Sequence, residues 1–325
     1  MRKSFGLGFV LASIAACGGT GAGGDDTIDP PGDADVDPQA RGFRIVSTEI
    51  DIPANTEVTY CYYFRTPNTE PLAINKWKSS MTPGSHHMIM YTTTTDVMEP
   101  GTVSSGSCGL GTGTINNQPV WTYAAQTPNA EVALPTDDGN GMPLAQDIAP
   151  NTPGYFQMHY LNATDAAIKV HVELEAEALP AGAQYTKTAP YITYNDDIDI
   201  PPATNNWVET KTCTTPAGAK FWTVSTHAHK QAVKTEVMSG TDVAFASEDW
   251  EHPGTKDWMS APFYTFANNQ LTWSCTYNNA DPSRTIRSGD SAETEEMCMA
   301  TGYYFPASSP KFCYCPNGQT GCISL

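Results

Sequence analysis

The chain has 325 residues, with 35 acidic side chains against 17 basic ones and a formal net charge of −18. So acidic a surface repels phosphate backbones and anionic headgroups, which excludes nucleic acid as a partner and gives a membrane no electrostatic hold on the folded part.

In chain order, Arg2 and Lys3 precede an apolar stretch from Phe5 to Ala16, and small residues stand immediately before Cys17. A basic start, a short apolar segment and small residues describe an export signal over residues 1–16. The cysteine that follows resembles a bacterial lipobox, so Cys17 is expected to be the lipidated first residue of a mature protein in the periplasm or at the cell surface. The apolar segment is too short to span a bilayer, and the lipid would be the chain's one membrane contact. Residues 17–42, rich in Gly, Pro and Asp, read as a disordered acidic tether. Asp33, Asp35 and Asp37 begin a calcium-loop pattern, but Pro38 and Arg44 stand where that loop needs glycine and glutamate. Beyond Cys17, eight of the nine cysteines remain, an even number that suits four disulfides in an exported chain.

The rest is large for one core, and two domains are expected, 43–185 and 186–325, divided near "LPAGAQYTKTAP". Segments 56–64, 86–95, 154–162, 167–179, 220–229 and 270–279 are rich in β-branched and aromatic residues and are separated by Pro, Gly and Asn turns. No amphipathic helix stands out. The predicted fold is all-β, two tandem jelly-roll-like antiparallel β-sandwiches. An internal echo supports two similar halves. "IDIP" at 50–53 is followed by Cys61 and the pair His86-His87, and "IDIP" at 198–201 by Cys213 and the pair His227, His229.

Four of the seven histidines fall in those two pairs. His227 and His229 are two apart, so on a strand both rings leave the same face, a bidentate metal site. His86 and His87 are adjacent and would point to opposite faces of a regular strand; sharing one ion requires a local bend. His159, in "FQMHYL", would by itself read as a core histidine. His171 alternates in phase with Lys169 and Glu173 and is expected to be solvated, and His252 to sit in a surface turn. In "EEMCMATGYYFP", Met297 offers a soft thioether beside Cys298. Zinc has little use for a thioether, whereas Cu(I) accepts one beside imidazoles. A disulfide at Cys298 would hold the sulfur in place.

The ordered motifs "HHM" (86–88), "QMHY" (157–160), "THAH" (226–229) and "EEMC" (295–298) resemble those of the type II copper, ascorbate-dependent monooxygenases, over roughly residues 43–322. The resemblance implies two coppers per chain, facing one another across a solvent-filled cleft. His86, His87 and His159 would hold an electron-transfer copper in the first domain. His227, His229 and Met297 would hold an oxygen-activating copper in the second, and Gln157 would stand near the reaction. It also implies the disulfides Cys61–Cys108 and Cys275–Cys298, and a bond from Cys213 to Cys313, Cys315 or Cys322. Members that act on glycine-extended peptides clamp a carboxylate with an arginine, an asparagine and a tyrosine. Ser225, Met299 and Thr301 stand at those positions here. The expected activity is hydroxylation of a C–H bond of a small substrate, with O2 and an external reductant such as ascorbate. The alternative is a non-catalytic periplasmic copper-binding protein with the same ligands.

Overall fold

A computed structural model describes residues 41–106, 108–109, 117–319 and 321–325. The export signal, Cys17 and the tether as far as residue 40 lie outside the described residues. The last two tether residues, Arg41 and Gly42, belong instead to the first strand. A Cβ on Gly42 would fall 1.9 Å from the backbone oxygen of Ala176, so the glycine serves strand pairing there.

The first half begins with β1 (Arg41–Val46), β2 (Ile50–Ile52), β3 (Thr56–Arg65), β4 (Leu72–Met81) and β5 (Ser85–Thr92). It continues through β6 (Val103–Ser105), β7 (Val120–Ala125), β8 (Asn129–Ala133) and β9 (Leu144–Ile148). It ends with β10 (Pro153–Asn162), β11 (Ile168–Val170), β12 (Val172–Ala178) and β13 (Thr186–Lys187). The second half opens with β14 (Ala189–Asn195), β15 (Asp199–Ile200), β16 (Thr204–Thr214) and β17 (Lys220–Ala228). Next come β18 (Ala232–Ser239), β19 (Asp242–Ser247), β20 (Thr255–Asp257), β21 (Gln270–Asn279) and β22 (Ile286–Arg287). The last are β23 (Cys298–Phe305), β24 (Lys311–Cys315) and β25 (Ile323–Ser324). Among the described residues the one helical element is a 3-10 turn, Ala267–Asn269.

Each half is a sandwich of two sheets. In the first, β1-β12-β4-β9-β13, with β8 also on β4, covers β6-β3-β10-β5-β7; in the second, β20-β17-β23-β14-β24-β25 covers β16-β21-β18-β19. Strand alternation fills both cores. Phe156, Met158 and Tyr160 of β10 join Trp77 and Leu174, while Phe221, Val224 and Tyr304 join Trp273 and Val237. The opposite faces of the inner sheets meet each other. Ile89, Tyr91 and Tyr155 pack with Ile192 and Met299 in a third apolar cluster. The result is four stacked layers, and the candidate ligands sit between the middle two.

The echo is structural as well as textual. Asn162, ending β10, donates to the carbonyls of Ile52, Pro53 and Ala166 at 2.9–3.2 Å, and Asn279, ending β21, donates to those of Ile200, Pro201 and Arg284 at 2.8–3.2 Å. The histidine part of the echo needs correction. His86 and His87 lie on β5, whereas His227 lies on β17, which holds the place of β4 in its own sheet order. The strand expected over 167–179 also divides. At His171 it passes from β11, paired with β2, to β12, paired with β1 and β4.

Candidate metal centre

His87 lies directly opposite His159 in the β5–β10 ladder, and a bulge follows, because Tyr160 then faces Ser85. His86 is therefore the extra residue. The bulge is the bend that two adjacent histidines need to turn both rings to one side. Candidate ligand atoms of His86, His87 and His159 lie within 4.8 Å of one another, and all three residues are buried. On the facing sheet His227 stands opposite Met299 near the end of β17, and His229 follows one residue beyond the strand, with ring centroids 5.4 Å apart. Met297 precedes β23 and lines one cavity with His227 and His229. Its backbone is held from two sides: Tyr277 donates to its carbonyl at 2.8 Å, and the Cys275–Cys298 disulfide ties the next residue to β21.

The two sets adjoin. His227 lies 5.8 Å from His86 and 5.2 Å from His87, ring centre to ring centre. The resemblance implies sets separated by a solvent-filled cleft; here the inner sheets touch through part of their apolar faces, and each of the five imidazole rings has another within 5.0–5.8 Å, centre to centre. Burial favours the neutral ring at four of the five. Burial pushes the pKa of His86 down to about 3 and that of His229 to about 4, with neighbouring imidazoles adding to the effect. Burial also holds His87 and His227 well below the ordinary imidazole value.

Hydrogen bonds settle which nitrogens keep a lone pair. His229 Nδ1 faces the carbonyl of Glu295 at 3.2 Å, so it carries the proton and Nε2 is left bare. His159 Nε2 donates to a Glu57 carboxylate oxygen at 3.0 Å, which makes Nδ1 its candidate ligand atom. Both ring nitrogens of His86 and Nδ1 of His87 are buried with no hydrogen-bond partner. Unpaired buried polar atoms are costly, and a cation that takes imidazole nitrogen satisfies them. Neutral imidazoles beside a thioether suit copper, Cu(I) above all, so the residues present fit that metal.

Residues 189–321 match the family described as copper type II ascorbate-dependent monooxygenase, C-terminal domain. The chain is also similar to dopamine beta-hydroxylase of Canis lupus familiaris, at 23% identity over 178 residues. The second half of the chain is thus similar to the copper type II ascorbate-dependent monooxygenases. The likeness to the canine protein covers 48% of this chain and 28% of that relative.

The cavity beside Met297, about 490 Å³, is walled by Ile89, Tyr91, Trp121, Tyr194 and Met299, and Gln157 reaches it while donating to the Cys108 carbonyl at 2.9 Å. A second cavity of about 610 Å³ shares His87, Ile89, Trp121 and His227 with the first and takes in Ser225 and Thr301. The three positions singled out for substrate thus divide between two cavities. His171 lies apart from the cluster, half-buried and bonded through its backbone N–H to Thr82 Oγ1. His252 is exposed in its turn, at the rim of the second cavity. The disulfides are Cys61–Cys108, Cys213–Cys313, Cys275–Cys298 and Cys315–Cys322.

Sequence reading missed the groups that hold the ligands. Glu296 is fully buried and accepts backbone N–H bonds from His229, Gln231 and Met297 at 3.0, 2.7 and 3.2 Å. One carboxylate therefore ties two candidate ligands together, and burial raises its pKa to about 8 against those donors. Its only textual signal was adjacency to Met297. Trp250, whose ring lies 5.4 Å from that of His86, and Gln126 and Glu57 gave none.

Proposed function

We propose that this chain is an exported copper monooxygenase that hydroxylates a C–H bond of a small substrate. One atom of O2 enters the C–H bond and the other leaves as water, consuming two protons and two electrons from a donor such as ascorbate. The observation that carries the reading is the convergence of four buried histidines (His87, His159, His227 and His229) and Met297 on a cavity large enough for a small organic molecule, with His86 packed behind them against His87 and His159. Copper, when bound, supplies the one-electron chemistry and the activation of O2.

The chain's own residues set the stage. His86, His87 and His159 would hold the electron-transfer ion, and His227, His229 and Met297 the oxygen-activating one. Ile89, Tyr91, Trp121 and Met299 give the substrate an apolar wall and keep bulk water from the reacting C–H bond. Four disulfides among the described residues support an oxidising compartment, in keeping with an exported, lipid-anchored protein. The test is oxygen uptake by copper-loaded protein with ascorbate, screened against a mixed metabolite library. Products heavier by one oxygen are expected. Tight copper binding without any ascorbate-dependent product would replace this reading with that of a copper-binding protein.

A further inference from the structure

The second half's candidate ligands are held by side chains that belong to the first half. Gln126 follows β7 and reaches across the layer boundary to the end of β17. Its amide nitrogen donates to the carbonyl of Thr226 at 3.4 Å, which turns its oxygen toward His227 Nδ1 at 2.8 Å. An amide oxygen only accepts, so Nδ1 must carry the proton and Nε2 keeps the lone pair. A flipped amide would set its oxygen against the Thr226 carbonyl, so the first contact fixes the second.

Glu57, on β3, makes a second crossing. One carboxylate oxygen accepts from His159 Nε2 at 3.0 Å and from the backbone N–H of Ala292 at 2.8 Å. The other accepts the hydroxyl of Ser291 at 3.1 Å. The loop it grips is closed on itself. Ser291 N–H donates to the Glu295 side chain at 3.1 Å, and Glu295 N–H donates back to the Ser291 carbonyl at 2.9 Å. The Glu295 carbonyl is the acceptor that orients His229, and Met297 lies two residues on. A continuous chain of contacts thus runs from His159 through Glu57, Ser291 and Glu295 to His229.

We propose that two first-half side chains complete the second half's ligand set: Gln126 by fixing the His227 ring, and Glu57 by holding the loop that leads into Met297. Both are positioning residues. The inference rests on the copper reading for its purpose, but its geometry can be judged without metal. Outer groups of this kind commonly change metal affinity by about 10–100-fold when removed.

The test begins on metal-free full-length protein. Nitrogen-15 spectra of the ring should show the Nδ1–H form of His227 in the wild type and in Gln126→Glu, which keeps an acceptor, and a mixture of tautomers in Gln126→Leu. In Glu57→Ala, amides from Ala292 to Met297 should exchange roughly tenfold faster or more, while those of β10 stay protected. Glu57→Gln, close to isosteric, and Ser291→Ala should give smaller changes in the same amides. An unchanged His227 tautomer in Gln126→Leu, or unchanged protection of Ala292–Met297 in Glu57→Ala, overturns the proposal. Titration with Cu(I) then adds the affinity. Gln126→Leu should weaken binding at the second half by about 10–100-fold, and equal binding by that variant and the wild type counts against positioning. A wild type that binds no copper refutes the copper reading instead, and the metal-free results still decide the crossing contacts.

Discussion

Acidifying the metal-free protein should destabilise it well before its exposed carboxylates titrate. His86 is 5% exposed and His229 1%, and their pKa values fall to about 3 and about 4 from an ordinary 6.5. A base depressed in this way favours the folded state fully above pH 6.5. As pH drops, the unfolded chain binds protons that the folded chain refuses, and stability is lost until the folded pKa is reached. Each group contributes about 1.4 kcal/mol per pH unit in that window. At pH 5 the cost is about 2 kcal/mol for each of the two, on the order of 4 kcal/mol together; His87 and His227 act in the same direction, while Glu296, whose raised pKa makes the folded state take up a proton over the same range, offsets about 2 kcal/mol.

For a chain of this size, 1 kcal/mol moves Tm by about 2–4 °C, so a fall on the order of 10 °C is expected between pH 7 and pH 5. The assay is thermal and urea unfolding of chelator-treated protein at both values, with His86→Gln beside the wild type. The variant should lose about 2 kcal/mol of the pH dependence. Copper-loaded protein should fall further, because bound metal requires unprotonated imidazole and acid releases it. Equal midpoints at pH 7 and pH 5 in the metal-free wild type, or titration of His86 and His229 near 6.5, would refute the claim that these two rings are buried and neutral.

Elemental analysis of reconstituted protein should find two coppers per chain; one metal, or retained zinc, contradicts the division into two sets. Met297→Ala should weaken Cu(I) binding at one of the two sites only, whereas His171→Ala, remote from the cluster, should leave both intact, as competition titrations will show. Replacing Cys275 and Cys298 by serine should cost about 2–5 kcal/mol in denaturant unfolding and release Met297 from its place; an unchanged midpoint refutes that role for the bridge. Glycine-extended peptides should not be processed, because among the described residues neither Lys nor Arg lines either cavity and the Ser225 hydroxyl is already given to the Gly254 carbonyl at 2.6 Å. Efficient glyoxylate release from such a peptide would reveal a carboxylate clamp elsewhere.

What the sequence showed depended on periodicity. Alternation in 154–162 and 270–279 marked β10 and β21 to within a residue, because each buries one face against a core. The single strand expected over 167–179 did not survive, since its alternation continues unbroken through His171 while the chain changes sheets there. Pairing partners lie far along the chain and leave no local mark. The same holds for the bulge at His86: "HHM" announces two adjacent imidazoles, but only the β5–β10 register shows that both turn inward. Glu57 and Gln126 lie 102 and 101 residues from the histidines they touch, beyond any local motif.

The misassigned part of the echo explains how the centre forms. The two sandwiches carry the same asparagine clamp, and had equivalent faces met, the two ligand sets would lie on equivalent strands. Instead the sheet holding β5 and β10 in the first half faces the sheet holding β17 and β23 in the second. Each sandwich can then keep its own core, and only outward-facing residues need to change to build the site. On β10 these are Tyr155, Gln157 and His159; on β23 they are Met299, Thr301 and Tyr303, opposite the inward Cys298, Ala300 and Tyr304. A one-residue slip in β10 would turn His159 into the core, and one in β23 would turn the cavity wall inward, so the register that stabilises each sandwich also fixes the candidate metal centre.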